Sequence, residues 1–279
     1  MSPRTGFLLH PASPLHDTGW GHPEHQGRLR ALASTVGRDL LTLHGHVEQL
    51  PAAEATDDDL LRVHTPEHVA LVREACRRAE ESESIVAIDP DTKVSTSSWE
   101  AAMGSAGTSI AAARAVVDRT VTNAFVATRP PGHHATPDRA MGFCLVNNIA
   151  VTARWLQASG HAERVLIIDW DVHHGNGTQD AFYSDPDVFF LSLHQWPHYP
   201  GTGAAEETGT GAGGGAARGW IRPQAPGRGR RGCDSCPRGP GASGVLTRCP
   251  RATLDYLSSP CHPTMWTPVE SRPCWISSA

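Results

Sequence analysis

The chain contains little lysine, no long apolar run and no net positive charge. These absences restrict the kinds of protein that it can be. Lys93 is the only lysine among 24 basic residues, a bias that we attribute to a GC-rich, bacterial genome. No apolar run approaches the roughly 20 residues that span a bilayer, and no secretory leader is recognisable. A net charge of -5 gives no sign of a nucleic-acid-binding surface. We therefore expect a cytoplasmic protein that contacts neither membranes nor nucleic acids directly.

Acidic residues and regular apolar patterns are scarce in the last quarter of the chain. Residues 212–279 contain nine Arg and three acidic residues, so their net charge is +6. Because the whole chain has a net charge of -5, residues 1–211 have a net charge of -11. Without helical or strand periodicity, this segment has no apolar face to bury. We predict one α/β domain over residues 1–213 and a low-complexity, disordered tail over residues 214–279.

Helices alternate with short apolar strands in the first part of the chain, which is the pattern of a parallel sheet covered by helices. Thr65 as N-cap and Pro66 at the first helical position predict the start of one helix. The other main predictions are strands at 7–9, 123–128, 165–169 and 188–193, and helices at 98–117, 146–156 and 178–183. Polar clusters follow the strand ends, so we expect them to converge outside the carboxyl ends of the strands.

A carboxylate and an imidazole stand two residues apart directly after the predicted strand 165–169. Side chains two apart on a strand share a face, so Asp171 and His173 can reach one metal ion together. Such a mixed oxygen and nitrogen pair suits Zn²⁺, although a catalytic zinc usually has three protein ligands. No convincing third ligand follows downstream in the sequence.

Four motifs in order resemble the zinc-dependent histone deacetylase family, in its class II and bacterial branches. The motifs are RPPGHHA at 129–135, GFCLVNN at 142–148, DWDVHHGNGTQ at 169–179 and SLHQ at 192–195. The resemblance runs from about Gly21 to Gly213. It implies a three-layer, arginase-like α/β fold with a central parallel sheet, incomplete at its C-terminal end. It also implies hydrolysis of the amide of acetyl-lysine or of an acetylated polyamine.

The resemblance assigns roles to the paired histidines and to the zinc ligands. It implies that His134 is the general base and that His133 is its electrostatic or proton-transfer partner. Asp169 would then orient His133, and Asn176 would orient His134. Zinc would be held by Asp171 and His173, and would lower the pKa of its water and polarise the acetyl oxygen.

The resemblance also implies a tunnel for the acyl-lysine side chain and an inner cation site. Phe143, beside Gly142, matches one aromatic wall of that tunnel, and Tyr199 is the candidate for the other wall. Asp91 matches the carboxylate at the rim, although an acidic residue beside proline is also common in simple turns. The inner site would bind a monovalent cation such as K⁺ through oxygen atoms of Asp169, Asp171, His173, Ser192 and Leu193.

The family pattern breaks after Gly213. The family's third zinc ligand, an aspartate at a strand end, and its oxyanion-stabilising tyrosine, in a Gly-Gly-Tyr turn, have no counterpart, and Asp255 lacks the expected flanking residues. We attribute the change to a frameshift near Gly213, which translation of the other two frames would test. The rival interpretation is a small zinc site in the tail, built from Cys233, Cys236, Cys249, Cys261 and His262.

Four functions stay open at this point. We expect a zinc amidohydrolase of the deacetylase type, inactive in this chain because the third ligand and the tyrosine are missing. An acetylpolyamine amidohydrolase would share the motifs. A catalytically dead acyl-lysine binding module would keep the fold alone. An arginase-type two-manganese hydrolase is disfavoured, because Gly175-Asn176-Gly177 stands where further metal-binding carboxylates would be needed.

Overall fold

The computed structural model describes residues 4–204, Glu207 and the backbone of residues 275–278. None of the helices described is long and apolar enough to cross a membrane. The strands are β1 (Thr5–Leu8), β2 (Val47–Gln49), β3 (Val86–Ala87), β4 (Lys93–Val94), β5 (Asn123–Val126), β6 (Val165–Asp169), β7 (Val188–Ser192) and β8 (Trp275–Ser278). The helices are α1 (Gly27–Leu43), α2 (Asp57–Leu60), α3 (Pro66–Glu81), α4 (Ser98–Val117), α5 (Asn148–Ala158) and α6 (Asn176–Phe182).

The strands form two parallel three-stranded ladders, in the orders β2-β1-β5 and β7-β6-β8, and a short antiparallel pair, β3-β4. The predicted α/β fold with a parallel sheet is therefore confirmed. Within the second ladder, β6 pairs with β7 from Val165↔Val188 to Asp169↔Ser192. The predicted site motifs therefore lie in loops that begin at the carboxyl ends of parallel strands.

Several predicted helices and strands are confirmed closely, because the capping residues and the pattern of buried residues indicate the same bounds. The Thr65 side chain accepts a hydrogen bond from the His68 amide at 3.1 Å, and Pro66 is the first residue of α3. Helix α4 and strand β6 have the predicted bounds. Strand β5 is two residues shorter than predicted, because the chain turns toward Arg129 after Val126.

The tail prediction is wrong for four residues. Trp275–Ser278 forms a strand, β8, parallel to β6 and paired with it from Leu166↔Trp275 to Asp169↔Ser278. An uncovered strand edge presents unpaired N–H and C=O groups, and a β-prone segment satisfies them. The remaining tail, including Asp255 and the tail cysteines, lies outside the described residues, and its predicted disorder stays a prediction.

Helix α4 packs in the centre of the core because its residues are small. Ala102, Ala106 and Ala113 are buried against residues of α3 and α5. At Gly107 the backbone of residues 53–55 comes so close that a Cβ atom would lie 2.2 Å from the Ala55 nitrogen. A larger residue there would push the two segments apart.

A buried histidine and a buried asparagine connect α5 to the loop after β5. His64 donates from Nδ1 to the Thr136 carbonyl at 3.0 Å, and its Nε2 accepts from the Asn147 amide at 2.8 Å. The Asn147 side chain caps α5 by accepting from the Ala150 amide at 3.1 Å. Both ring nitrogens of His64 are used in the neutral form, and burial lowers the pKa of His64 to about 3.

A buried ion pair ties the loop after β5 to the N-terminal segment. Arg129 donates from Nε and Nη2 to the Glu24 carboxylate at 2.5 and 2.8 Å. Its Nη1 donates to the carbonyls of Ser13 and His16 at 3.0 Å each. Breaking such a pair leaves an uncompensated buried charge, which costs about 3–5 kcal/mol.

Alanine substitutions at two helical glycines should have opposite effects on stability. Gly107→Ala should lower the free energy of unfolding by about 1–3 kcal/mol, because the new methyl group has no room. Gly37→Ala, in α1, should raise it by about 0.5–1 kcal/mol, because nothing lies within 4 Å of the place that its methyl group would take. Urea denaturation measures both. A Gly107→Ala variant as stable as the unmodified chain would contradict the close approach of α4 to residues 53–55.

The stability of the chain should fall below pH 6.5, partly because of His64. The unfolded chain binds a proton on this ring near pH 6.5, whereas the folded chain does so only near pH 3. This contribution is therefore complete above pH 6.5 and decreases as the pH falls, by about 2 kcal/mol at pH 5.

His64→Gln, which keeps a donor and an acceptor without titrating, should flatten that pH dependence in urea denaturation at pH 7.5, 6 and 5. His44→Gln, at an exposed position, is the matched control and should behave like the unmodified chain. An identical pH dependence in the His64→Gln variant would show that the ring is not held neutral.

Candidate active site

The paired histidines after β5 are each held by a different polar partner. His133 Nδ1 lies 2.9 Å from Asp169 Oδ2, at the end of β6. His134 Nδ1 lies 2.8 Å from Asn176 Oδ1, in the first turn of α6. These are the two hydrogen bonds that the family resemblance implies, while the catalytic roles themselves stay predictions. Since an amide oxygen only accepts, His134 carries its proton on Nδ1 and has its Nε2 lone pair available.

The predicted metal-binding pair lies next to the two histidines. Asp171 Oδ1 is 3.1 Å from His173 Nδ1 and 4.0 Å from His133 Nε2. The ring centroids of His134 and His173 are 5.9 Å apart. The structure therefore brings together the four side chains that the sequence singles out, at the carboxyl ends of β5 and β6.

The surroundings drive the two paired histidines toward different protonation states. Burial disfavours a charged ring on His133, but the hydrogen bond and negative charge of Asp169 outweigh it and raise the pKa of His133. Burial, together with the charge of His133, lowers the pKa of His134 to about 4. At neutral pH, the His134 ring is therefore neutral.

Asp171 and His173 fit two corners of a zinc site, and the described part of the chain supplies no third ligand. Two ligands about 2 Å from a tetrahedral ion lie about 3.3 Å apart, close to the 3.1 Å observed between Asp171 Oδ1 and His173 Nδ1. Among the residues described, no group of three or more His, Cys, Asp or Glu side chains is arranged to hold a metal ion. The donor set is thus that of an incomplete zinc site.

Of the residues assigned to the substrate tunnel, Tyr199 and Gly142 lie next to His134. Phe143 follows Gly142 in the left-handed region, with φ of 70° and 56°, and its amide donates to Thr92 Oγ1 at 3.2 Å. A bulky residue seldom adopts this backbone, so the Phe143 ring is placed at a cost in strain. The Tyr199 ring meets the His134 ring edge-on, with centroids 5.0 Å apart.

The loop that carries Asp91 is joined to the Phe143 wall by His22. His22 Nε2 donates to the Asp91 carbonyl at 2.8 Å, and its ring meets that of Phe143 edge-on at 4.7 Å. Burial and the neighbouring Asp89 carboxylate raise the pKa of Asp91. Burial, with the charges of Asp91 and Asp89, raises the pKa of Tyr199 to about 12. Asp91 therefore lies within electrostatic reach of Tyr199, and the structure groups it with the predicted tunnel residues.

The residues assigned to the inner cation site lie where β6 and β7 end side by side. Asp169 is opposite Ser192 in the ladder, and the Leu193 amide donates to the Asp169 carbonyl at 2.8 Å. Ser192 Oγ is also 2.9 Å from His194 Nδ1. The oxygen atoms of this corner are suited to a hard cation, although some of them already have partners within the protein.

The sequence does not reveal a second histidine pair that supports the Tyr199 loop. His174 and His194 lie with ring centroids 4.6 Å apart. His174 Nδ1 is 2.8 Å from Thr202 Oγ1, and His194 Nε2 is 3.0 Å from the Gly203 carbonyl. Because these partners lie nine or more positions away, spacing along the chain carries no signal for the network. Arg129 and Glu24 are also missed, although both stand inside polar motifs beside proline.

Comparison with known proteins accounts for this arrangement. The family model described as the histone deacetylase domain matches residues 22–227. A probable deacetylase from Archaeoglobus fulgidus is 40% identical over 209 residues, covering 75% of this chain and 56% of the relative. Human histone deacetylase 7 is 37% identical over 235 residues, covering 75% of this chain and 24% of the relative.

A solved structure has a fold similar to that of this chain. The crystal structure of the HDA15 HD domain matches with a TM-score of 0.67 and 39% identity, over 74% of this chain and 58% of that one. The chain spans about half the length of the Archaeoglobus relative and about a quarter of the human one. With a family model matched over most of its length, the chain belongs to the histone deacetylase family.

Proposed function

We propose that this domain is built for zinc-dependent hydrolysis of the acetyl-lysine amide. The observation that carries the proposal is the set of hydrogen bonds at the paired histidines. His133 bonds to a carboxylate and His134 to an amide oxygen, 2.9 and 2.8 Å away. The His133 ring is thereby favoured in its charged form and the His134 ring as a neutral base. Amide hydrolysis can use such a pair, because it needs both a base and a group that supplies positive charge or a proton.

Zinc would be held by Asp171, His173 and a third ligand that is not among the described residues. Bound there, the ion would activate a water molecule and polarise the acetyl carbonyl. The chain itself provides the base, His134, whose Nε2 lone pair would accept the proton of the attacking water. His133 would supply positive charge beside the reacting carbon and return a proton to the departing amine.

Phe143 and Tyr199 would flank the aliphatic part of the lysine side chain. Tyr199 lies against His134, and Phe143 is fixed by Thr92 and His22, so both rings are placed independently of substrate. Asp91 would accept a hydrogen bond from the substrate backbone at the rim. A monovalent cation such as K⁺ at the Asp169 and Ser192 corner would be a structural ion beneath the site.

The 279-residue chain is proposed to be inactive. Two of three zinc ligands remain, so metal affinity should fall by orders of magnitude. The family's oxyanion tyrosine also has no counterpart, and removal of one such donor costs on the order of 10²–10³ in rate in other hydrolases. Both losses act on the same transition state. The incomplete donor set also favours a second candidate, an acyl-lysine binding protein without catalysis.

We predict no measurable hydrolysis of an acetyl-lysine peptide by the purified 279-residue chain, and substoichiometric zinc by metal analysis. A chimera in which residues 214–279 are replaced by the corresponding region of the Archaeoglobus relative should bind one zinc and turn over substrate. His134→Ala or Asp171→Ala in that chimera should abolish turnover, because each removes a part that the new segment cannot replace.

His161→Ala, at an exposed position after α5, is the control and should leave the chimera active. Acetylspermidine, measured in parallel, separates a polyamine amidohydrolase from a protein deacetylase. Saturable binding of the acetyl-lysine peptide without turnover by the 279-residue chain would favour the binding module. Stoichiometric zinc with ordinary enzymatic rates in that chain would show that its own tail supplies the missing ligand.

A further inference from the structure

Strand β6 carries the predicted metal-binding loop, and its two edges are covered by different parts of the chain. One edge pairs with β7 over five residues, with α6 connecting the two strands. The other edge pairs only with β8, over the four residues Trp275–Ser278. In the described part of the chain, no other strand covers this edge of β6. Parallel strands are normally buried in the middle of a sheet, so this edge needs a cover.

A single strand, β8, covers that edge and also lies near β5. Strand β8 is hydrogen-bonded to β6, and Cα atoms of β8 also lie within 8 Å of Cα atoms of β5. The ladder β2-β1-β5 ends at β5, which forms no ladder with β8. Strand β8 therefore lies at the β5-facing edge of the second ladder, in register with β6 from Leu166↔Trp275 to Asp169↔Ser278.

We propose that this edge of β6 is a strand-acceptor site and that its occupant is the chain's own C-terminal segment, Trp275–Ser278. The segment is held by main-chain hydrogen bonds in parallel register, and it can leave the site. This inference concerns the sheet alone and does not rest on the proposed deacetylase function. Binding of an extended peptide along a sheet edge is a common form of recognition, in which main-chain bonds supply most of the affinity.

Two observations favour this occupant. Trp and Ile are residue types that favour strands, and Trp275-Ile276 stands in the register that covers β6. More than eighty residues separate Trp275 from Ser192 at the end of β7. A connection of that length gives a low effective concentration, so a peptide in solution can compete with the attached segment.

The test uses a fluorescein-labelled peptide of residues 272–279 that carries Cys274→Ser, and the full chain with Ile276→Pro and Ser277→Pro. Neighbouring residues in a strand direct their amides to opposite sides, so one of these two prolines must remove a donor that faces β6. The peptide should bind the double-proline chain at least about tenfold more tightly than the unmodified chain, whose own segment competes.

The matched control is the same peptide with both prolines, which should bind neither chain. In hydrogen exchange, every second amide of Val165–Asp169 should lose protection in the double-proline chain and regain it when peptide is added. The intervening amides, which face β7, should not change and so report on folding. The proposal is overturned if the peptide binds the two chains equally, if the double-proline peptide binds as well, or if β6 protection is the same in both chains.

If the double-proline chain does not fold, peptide binding to the unmodified chain tests the proposal. It should still bind the labelled peptide at high concentration and reject the double-proline peptide. Binding of neither peptide, or of both, would then overturn the proposal.

Discussion

The side chain of Asn147 is the interaction on which the arrangement of the active site depends. Its Nδ2 donates to the Ala135 carbonyl at 3.1 Å and to Thr178 Oγ1 at 3.2 Å, while its Oδ1 caps α5. Ala135 directly follows His134, and Thr178 lies in the same helix turn as Asn176. One buried amide therefore fixes the spacing between the histidine and the residue that orients it. Because an unsatisfied buried amide is costly, the three segments are held together as one unit.

The two paired histidines have the same side chain, but burial and one neighbouring charge shift their pKa values in opposite directions. Both rings lie in a poorly solvated region, which by itself disfavours a positive charge. Asp169 reverses that effect for His133, whereas Asn176 offers His134 an acceptor without a charge. The difference is one of side-chain type across a hydrogen bond of nearly equal length. A neutral ring and a ring that favours a positive charge therefore lie 4.0 Å apart, measured between ring centroids.

The absence of a third metal ligand among the described residues and the proposed strand-acceptor edge both concern the side of β6 that β8 covers. The family resemblance places the third zinc ligand at the end of a further strand, and residues up to 204 provide no such strand. The same deficit leaves the β6 edge to be covered by β8, which ends opposite Asp169. Residues on the intact side of β6, including Ser192 and the loop that bears Tyr199, are nevertheless held in a well-connected network. The deficit is thus local to one side of the sheet.

The sequence by itself predicted most of the main helices and strands up to residue 193 and named the candidate site residues. Helix α4, strand β6 and the Thr65 cap follow from local periodicity and capping chemistry, and Asp171 and His173 share a face through their spacing of two. Only the tertiary structure decided how they meet, since the contacts from Asn147 to Thr178 and from Glu24 to Arg129 join residues 31 and 105 positions apart. It also placed β8 against β6, where composition predicts disorder, because an open strand edge is satisfied by whatever segment reaches it.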